Sequence, residues 1–174
     1  LMAATWRVAR SLSEAQHGST RTKEEPAMPR SYASAVLNAS ADEVWSYLRD
    51  FGNIAEWLPG IETCDIEEGG DGPGGSGVGS VRRLTAPGDA VFRERLVALS
   101  DADRTLSYEF VESPLPVRDL RATIRVAPVT DTGQAFVEWS GRFDADAADE
   151  QAMTKVFTRG VYGAGLEGLR KRFG

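Results

Sequence analysis

The segment between residues 61 and 143 constrains the fold most, because six short runs of alternating apolar and polar residues follow one another there. We place these predicted strands at residues 61–67, 78–84, 90–100, 105–111, 119–127 and 134–143. Turn-forming sequences such as DADR (101–104) and TDTG (130–133) separate them. A period of two with one apolar face is typical of an antiparallel sheet that covers a core on one side.

Helical patterns flank this series of strands. A first strand in SYASAVLNAS (31–40) leads into a helix, for which Ser40 is the predicted N-cap and Glu43 its capping-box partner. A short second helix follows in GNIAEWLPG, and the chain ends in one long helix at about 147–172. This order predicts an α+β fold in which a curved antiparallel sheet of about seven strands wraps around the C-terminal helix. A cavity between the helix and the sheet would suit a small apolar molecule.

The last helix contains four glycines within RGVYGAGLEGL (159–169). Each glycine costs a helix about 0.8–1.0 kcal/mol relative to alanine, so the pattern needs a reason. One interpretation is close packing of the helix against the sheet. The other is that small residues leave space for a ligand between the two.

Composition excludes several classes of function. The formal net charge of −6 argues against a nucleic-acid partner. No apolar run approaches the roughly 18–20 residues of a membrane span, so we expect none. One cysteine, Cys64, and one histidine, His17, leave too few ligands for a usual zinc site or a histidine-based nucleophilic site. We therefore predict no metal and no cofactor, and a cytoplasmic protein.

Two segments have the composition of flexible chain. Residues 1–29 lack apolar periodicity and are predicted to be a disordered N-terminal extension, with a transit peptide as the alternative. Residues 30–174 are predicted to form one domain. Within it, GGDGPGGSGVGS (69–80) lacks the lysine of a phosphate-binding loop and is predicted to be a mobile loop.

Two opposite charges, Arg82 and Glu94, fall in phase with an apolar strand face. The apolar side chains of that face are Leu84, Phe92, Leu96 and Ala98. A buried charge costs several kcal/mol unless it is paired and hydrogen-bonded. Either the two form a salt bridge across neighbouring strands, or they form a polar patch in a cavity. In the second case Arg82 would orient a ligand oxygen and Glu94 would exchange a proton with the ligand.

The order of these segments resembles the START-like, or Bet v 1-like, superfamily in its polyketide cyclase/dehydrase branch, from about residue 31 to 173. The segments that carry the resemblance are ADEVWSYLRDFGNIAEWLPGIETCDIEEG, GSVRRL, RERLVALSDADRTLSYEFVES, ATIRV and GLEGLRKRF. The pattern VR…ERL…D…R…LSY is most similar to the subgroup of plant abscisic-acid receptors and onion lachrymatory-factor synthase. The resemblance implies a helix-grip fold whose internal cavity binds a small hydrophobic molecule.

The resemblance also implies roles for individual residues. Arg82 and Glu94 match the two cavity charges of the synthase-like proteins and are the catalytic candidates, and Tyr108 matches a cavity hydroxyl. Leu120 stands where a second cavity tyrosine is expected, which departs from the synthase. The implied cavity face of the last helix is Phe157, Val161 and Gly165.

The receptor pattern is not matched at three places. The gate loop is the shorter TAPGDA (85–90), the latch position has the sequence LPV (115–117), and Leu58 stands where the receptors have a lysine. A hormone-receptor role of that type is therefore not expected.

The predicted ligand-binding set is completed by apolar side chains of the same faces. They are Trp57 beside the cavity mouth, Leu84, Phe92, Leu120 and Ala122. Strand phase favours Trp139 as a core residue, whereas the resemblance would turn Glu138 inward, and this stays open. We predict a protein that binds a small hydrophobic molecule with polar oxygens, as a monomer or homodimer. A cofactor-free cyclase, dehydratase or isomerase that uses Glu94 and Arg82 is one alternative, and a regulatory or carrier subunit is another.

Overall fold

The structure is a computed structural model that describes residues 28–70, 72 and 75–174. Nearly all of the predicted N-terminal extension, residues 1–27, lies outside these described residues. In the part of the chain that the structure describes, no helix is both long and apolar enough to cross a membrane.

The predicted fold class is confirmed. Seven strands form one antiparallel sheet, and a helical segment at the end of the chain, here called the closing helix, packs against it. The strands are β1 (Arg30–Leu37), β2 (Thr63–Glu68), β3 (Val81–Ala86), β4 (Ala90–Ser100), β5 (Thr105–Glu112), β6 (Arg118–Pro128) and β7 (Ala135–Asp144). Helix α1 (Ala41–Leu48) and a 3₁₀ turn (Ile54–Glu56) join β1 to β2. The closing helix comprises α2 (Glu150–Lys155), a π-helical stretch (Val156–Gly163) and α3 (Ala164–Phe173).

Strand order across the sheet is β1-β7-β6-β5-β4-β3-β2. The chain therefore runs as a continuous meander from β2 to β7, and β1 adds to the far edge beside β7. One face of the sheet and the closing helix share a hydrophobic core, to which α1 also contributes. This is the helix-grip arrangement.

Helix α1 begins as its sequence predicts. The Glu43 amide N–H donates to Ser40 Oγ at 3.3 Å, and the Ser40 amide N–H donates to Glu43 Oε2 at 3.0 Å. The capping box thus satisfies two amides that the helix itself cannot. The apolar stripe of this helix, Val44, Trp45 and Leu48, is buried.

A bulge in β4 changes which residues face the core. Leu96 pairs with Tyr108, but the next paired residue, Ala98, lies opposite Ser107, so one residue is inserted between them. An inserted residue reverses the alternation of side chains beyond it. Ala98 is consequently exposed and Leu99 packs against the core, so the prediction that Ala98 belongs to the apolar face is wrong.

Two serines of the glycine-rich segment are packed against the domain. Ser76 and Ser80 are buried, and each hydroxyl accepts a hydrogen bond from a backbone amide. Ser76 Oγ accepts from the Phe51 N–H at 2.9 Å, and Ser80 Oγ accepts from the Gly70 N–H at 2.8 Å. Two serines among many glycines therefore anchor this segment, which its composition alone did not indicate.

The closing helix departs from a regular α-helix in its middle. The Ala164 N–H reaches back to the Arg159 carbonyl, an i→i+5 hydrogen bond that widens the turn. This wider turn lets Phe157 and Tyr162, five residues apart, both be buried against the sheet.

Candidate ligand cavity

A cavity of about 240 Å³ lies between the sheet and the first half of the closing helix. Its wall is almost entirely apolar and is built from strands β3 to β7, the 3₁₀ turn and the loop after it, the loop between β5 and β6, and the π-helical stretch. The exposed residues of the wall are Pro59 and Gly60 on one side and Gly160 on the other, so the cavity opens to solvent between them.

Most of the predicted ligand-binding residues line this cavity. Those on the wall are Leu84, Phe92, Glu94, Tyr108, Leu120, Phe157 and Val161. They come from four strands and the closing helix, and strand alternation brings them to one face. Glu94 is the wall's single ionisable carboxyl group among the described residues, and Tyr108 contributes a hydroxyl.

Arg82 and Glu94 form a buried ion pair across β3 and β4. They lie directly opposite each other in the strand register, and their residues are 3 % and 5 % exposed. Arg82 Nε donates to Glu94 Oε2 at 2.8 Å, and Arg82 Nη2 lies 2.6 Å from the same oxygen. The first alternative from the sequence, a cross-strand salt bridge, is therefore present.

The arginine is held on its other side by Phe51. Arg82 Nη1 donates to the Phe51 carbonyl oxygen at 2.7 Å, and the guanidinium carbon lies 3.9 Å from the centre of the Phe51 ring. The Tyr108 ring is the second aromatic neighbour, at 5.3 Å. Hydrogen bonds and ring contacts together offset the desolvation of the charge.

One carboxylate oxygen of Glu94 stays free. Both Arg82 contacts end on Oε2, and no donor among the described residues contacts Oε1. Since Glu94 is on the cavity wall and Arg82 is not, the pair presents its negative end to the cavity. The cavity thus offers a hydrogen-bond acceptor at its inner end.

Tyr108 offers a donor in the same cavity. Its hydroxyl oxygen accepts a hydrogen bond from Trp139 Nε1 at 3.2 Å, which leaves the hydroxyl proton available. Burial and, secondarily, the negative charge of Glu94 raise the pKa of Tyr108 well above its usual range. The phenol is therefore protonated at neutral pH, and its proton can be donated to a ligand.

Four predicted site residues lie outside the cavity wall: Arg82, Trp57, Ala122 and Gly165. Arg82 is behind Glu94, and each of its three guanidinium nitrogens already has a contact with Glu94 or Phe51. Trp57 packs at 5.5 Å from the Trp139 ring and donates from Nε1 to Asn53, so it is a core residue. A Cβ at Gly165 would come within 3.0 Å of Trp57 and Trp139, so this glycine serves close packing.

Ala122 does not line the cavity because a side chain of the closing helix packs on this part of the sheet. It pairs with Gly141, and the Tyr162 hydroxyl packs directly on Gly141. Since the π-helical stretch turns Tyr162 toward these small residues, the part of the sheet around Ala122 is filled by protein. Of the predicted helical face, Phe157 and Val161 line the cavity, whereas Gly165 packs against the two tryptophans.

Several wall residues were not predicted. They are Ile54, Leu58, Pro59, Gly60, Ile61, Ala86, Phe110, Leu115, Trp139, Val156 and Gly160. Phe110 shares the phase of Leu106 and Tyr108, and this signal could have identified it. Glu138 is on the opposite face of the sheet, where Tyr32 and Arg125 contact its carboxylate at 3.1 and 3.0 Å. Trp139 is buried, as strand phase favoured.

Comparison with known proteins agrees with this architecture. Residues 28–174 match the family model described as polyketide cyclase / dehydrase and lipid transport. The chain belongs to this family. A solved protein from Nitrosospira multiformis is 30% identical, with a TM-score of 0.70 over 84% of this chain and 97% of that one.

More distant structures share the fold. The ZhuI aromatase/cyclase from Streptomyces sp. R1128 is 21% identical, with a TM-score of 0.68 over 83% of this chain and 93% of that one. A START superfamily protein from Mycobacterium smegmatis is 15% identical, with a TM-score of 0.67 over 83% of this chain and 97% of that one. The family match confirms the predicted polyketide cyclase/dehydrase membership, and these structures confirm the predicted START-like fold. The placement nearest to the receptor and lachrymatory-factor-synthase subgroup stays a prediction.

Proposed function

We propose that this family member binds a small, largely apolar molecule with a polar oxygen in the cavity and needs no cofactor to do so. The observation that carries the proposal is an apolar wall interrupted by one free carboxylate oxygen and one available phenol proton. A cavity of about 240 Å³ also favours a ligand over a partner protein as its occupant. Family membership supports the same role.

Native mass spectrometry of the gently purified protein tests this proposal. The expected result is an adduct that is released on denaturation and is identified as an apolar, oxygen-bearing molecule. Val161→Trp should abolish the adduct because the larger ring takes up volume on the cavity wall. Val36→Trp, on the exposed side of β1, is the matched control and should retain it. Equal adduct in both variants would place the bound molecule elsewhere and contradict the proposal.

A catalytic role for Glu94 is the second candidate. A carboxylate oxygen and a phenol on one apolar wall are the groups that proton transfer in a cyclase, dehydratase or isomerase requires. Burial raises the pKa of Cys64 to about 11, so a thiolate nucleophile is scarce at neutral pH. Glu94→Gln should slow conversion of the identified molecule about 100-fold or more while thermal unfolding stays cooperative. An unchanged rate would leave a binding role alone.

The boundaries and the cellular setting are also part of the proposal. We propose residues 30–174 as the single folded domain and residues 1–29 as an extension, and the family match over 28–174 supports this division. We propose a cytoplasmic location on the ground of composition, and we propose a monomer or homodimer.

A further inference from the structure

The ion pair beneath the cavity determines which charge the cavity accepts. Arg82 is the nearest cation, but its Nε and Nη2 contact Glu94 and its Nη1 donates to the Phe51 carbonyl. Its guanidinium is also covered by the Phe51 ring. The arginine therefore acts as a counter-ion to Glu94 and does not reach a ligand.

Glu94 Oε1 is the acceptor that a ligand meets. A carboxylate oxygen in an apolar cavity has lost much of its hydration and has no protein donor to replace it. A ligand group that donates a hydrogen bond to this oxygen should therefore bind more tightly than one that does not. Among the described residues that line the cavity, none is Lys, Arg or His. A ligand carboxylate would therefore bring a second negative charge against Glu94 in an apolar site, with no free cation to offset it.

A ligand cation is also disfavoured. Arg82 and Glu94 already neutralise each other, so an ammonium group in the cavity would add one uncompensated charge. An uncharged donor avoids both penalties.

Tyr108 narrows the class of donor further. It lies on β5 as the diagonal neighbour of Glu94, since Glu94 pairs with Phe110 and Tyr108 pairs with Leu96. Its free proton needs an acceptor, while Oε1 of Glu94 needs a donor. A single hydroxyl group has both functions, whereas an ether, ester or ketone oxygen only accepts.

We propose that the cavity selects an uncharged molecule with an alcohol or phenol hydroxyl that donates to Glu94 Oε1, and that it rejects carboxylates. This inference rests on the proposed binding function and names its ligand class. The presence of Arg82 alone would suggest an anionic ligand. Instead, Arg82 holds the Glu94 carboxylate in place, and this carboxylate repels an anionic ligand.

Three probes that share a naphthalene ring and differ in one substituent test the selection. Binding of 2-naphthol, 2-methoxynaphthalene and 2-naphthoate to the full chain is measured by isothermal titration calorimetry at pH 7. We expect 2-naphthol to bind about 30-fold more tightly than the methyl ether, the effect of one charge-assisted hydrogen bond. The naphthoate should bind about 100-fold or more weakly than 2-naphthol. Val161→Trp should reduce the affinity for 2-naphthol and so locate it in the cavity.

Each outcome decides a different point. Similar affinities for all three probes would overturn the selection and leave the binding function intact. Tighter binding of the naphthoate would overturn it as well, and would show that Arg82 reaches the ligand. Binding of none of the three would contradict the proposed function itself. The ranking is made on the unmodified chain, so it does not depend on any variant folding.

A charge variant provides a second test of the selection against carboxylates. Glu94→Gln removes the negative charge and leaves Arg82 in place, so the affinity for 2-naphthoate should rise at least about 10-fold relative to 2-naphthol. Glu112→Gln, an exposed change on β5, is the control and should keep the original ranking. An unchanged ranking in a folded Glu94→Gln protein would contradict the proposal.

Discussion

The closing helix meets the sheet in two different ways along its length. Around Gly160 it stands away from β3, β4 and β5, and a Cβ at this position would meet nothing within 4 Å. Around Gly165 and Gly168 it lies directly on the segment after the 3₁₀ turn, with Trp57 as the main contact. Close packing therefore explains Gly165 and Gly168, whereas Gly160 has the open space that the second interpretation requires. The surface that a glycine faces decides its role, and the helix sequence alone does not show it.

Alanine at Gly168 and alanine at Gly160 should change the stability of the protein differently. A Cβ at Gly168 would overlap the Trp57 carbonyl oxygen, which is backbone and cannot turn away, so Gly168→Ala should lower the free energy of unfolding by about 2–3 kcal/mol. Gly160→Ala should be neutral or should stabilise the protein by up to about 1 kcal/mol through helix propensity. Urea unfolding of both variants measures the difference.

The same two variants test whether the open space at Gly160 is present in solution. Equal stability changes would mean that the helix contacts the sheet uniformly and that the open space at Gly160 closes in solution. Because both substitutions add the same methyl group to a helical residue, any effect common to them is not due to the surface that each position faces.

The surroundings of the closing helix also differ in polarity between its cavity end, around Gly160, and its packed end, around Gly165 and Gly168. The cavity end contains a connected polar chain: Ser76 fixes the Phe51 amide, the Phe51 carbonyl holds Arg82, and Arg82 holds Glu94. The packed end is formed by aromatic rings, with Trp57 and Trp139 in contact. We infer that the glycine-rich segment supports the cavity, although it does not line it.

Two serine variants test that support. Ser76→Ala leaves the buried Phe51 N–H without an acceptor and should cost about 2 kcal/mol of stability. It should also weaken 2-naphthol binding several-fold, because Phe51 positions Arg82. Ser80→Ala removes an equivalent bond to the half-buried Gly70 amide in the same segment and should leave probe affinity unchanged. Equal affinities for 2-naphthol in both variants would mean that the glycine-rich segment does not support the cavity.

Features with a local or periodic signal were predictable from the sequence. The capping box of Ser40 and Glu43 is local. Strand alternation placed Arg82, Glu94 and Tyr108 on the same inner face of the sheet. These patterns suffice because each depends on backbone geometry over a few residues. The fold could be predicted from the order of such elements.

Features that depend on a single inserted residue were not predictable. The bulge before Ala98 and the π turn before Ala164 each shift the phase of the residues beyond them, and neither has a marker in the sequence. Gly165 lies outside the cavity because Trp57 and Trp139, which are distant in the sequence, pack against it. The burial of Ser76 depends on a contact with Phe51 that is 25 residues distant, so no local pattern indicates it.

The two buried tyrosines give the smallest and most direct test of the difference between the ends. Tyr108 at the cavity end accepts a hydrogen bond from Trp139, so Tyr108→Phe leaves that indole N–H unpaired and should cost about 1–2 kcal/mol. The Tyr162 hydroxyl is buried on Gly141 with no hydrogen-bond partner among the described residues, so Tyr162→Phe removes an unsatisfied group. It should be neutral or should stabilise the protein by up to about 1 kcal/mol. Thermal unfolding of the two variants measures this contrast, and a loss of stability in Tyr162→Phe would mean that its hydroxyl has a partner at the packed end after all.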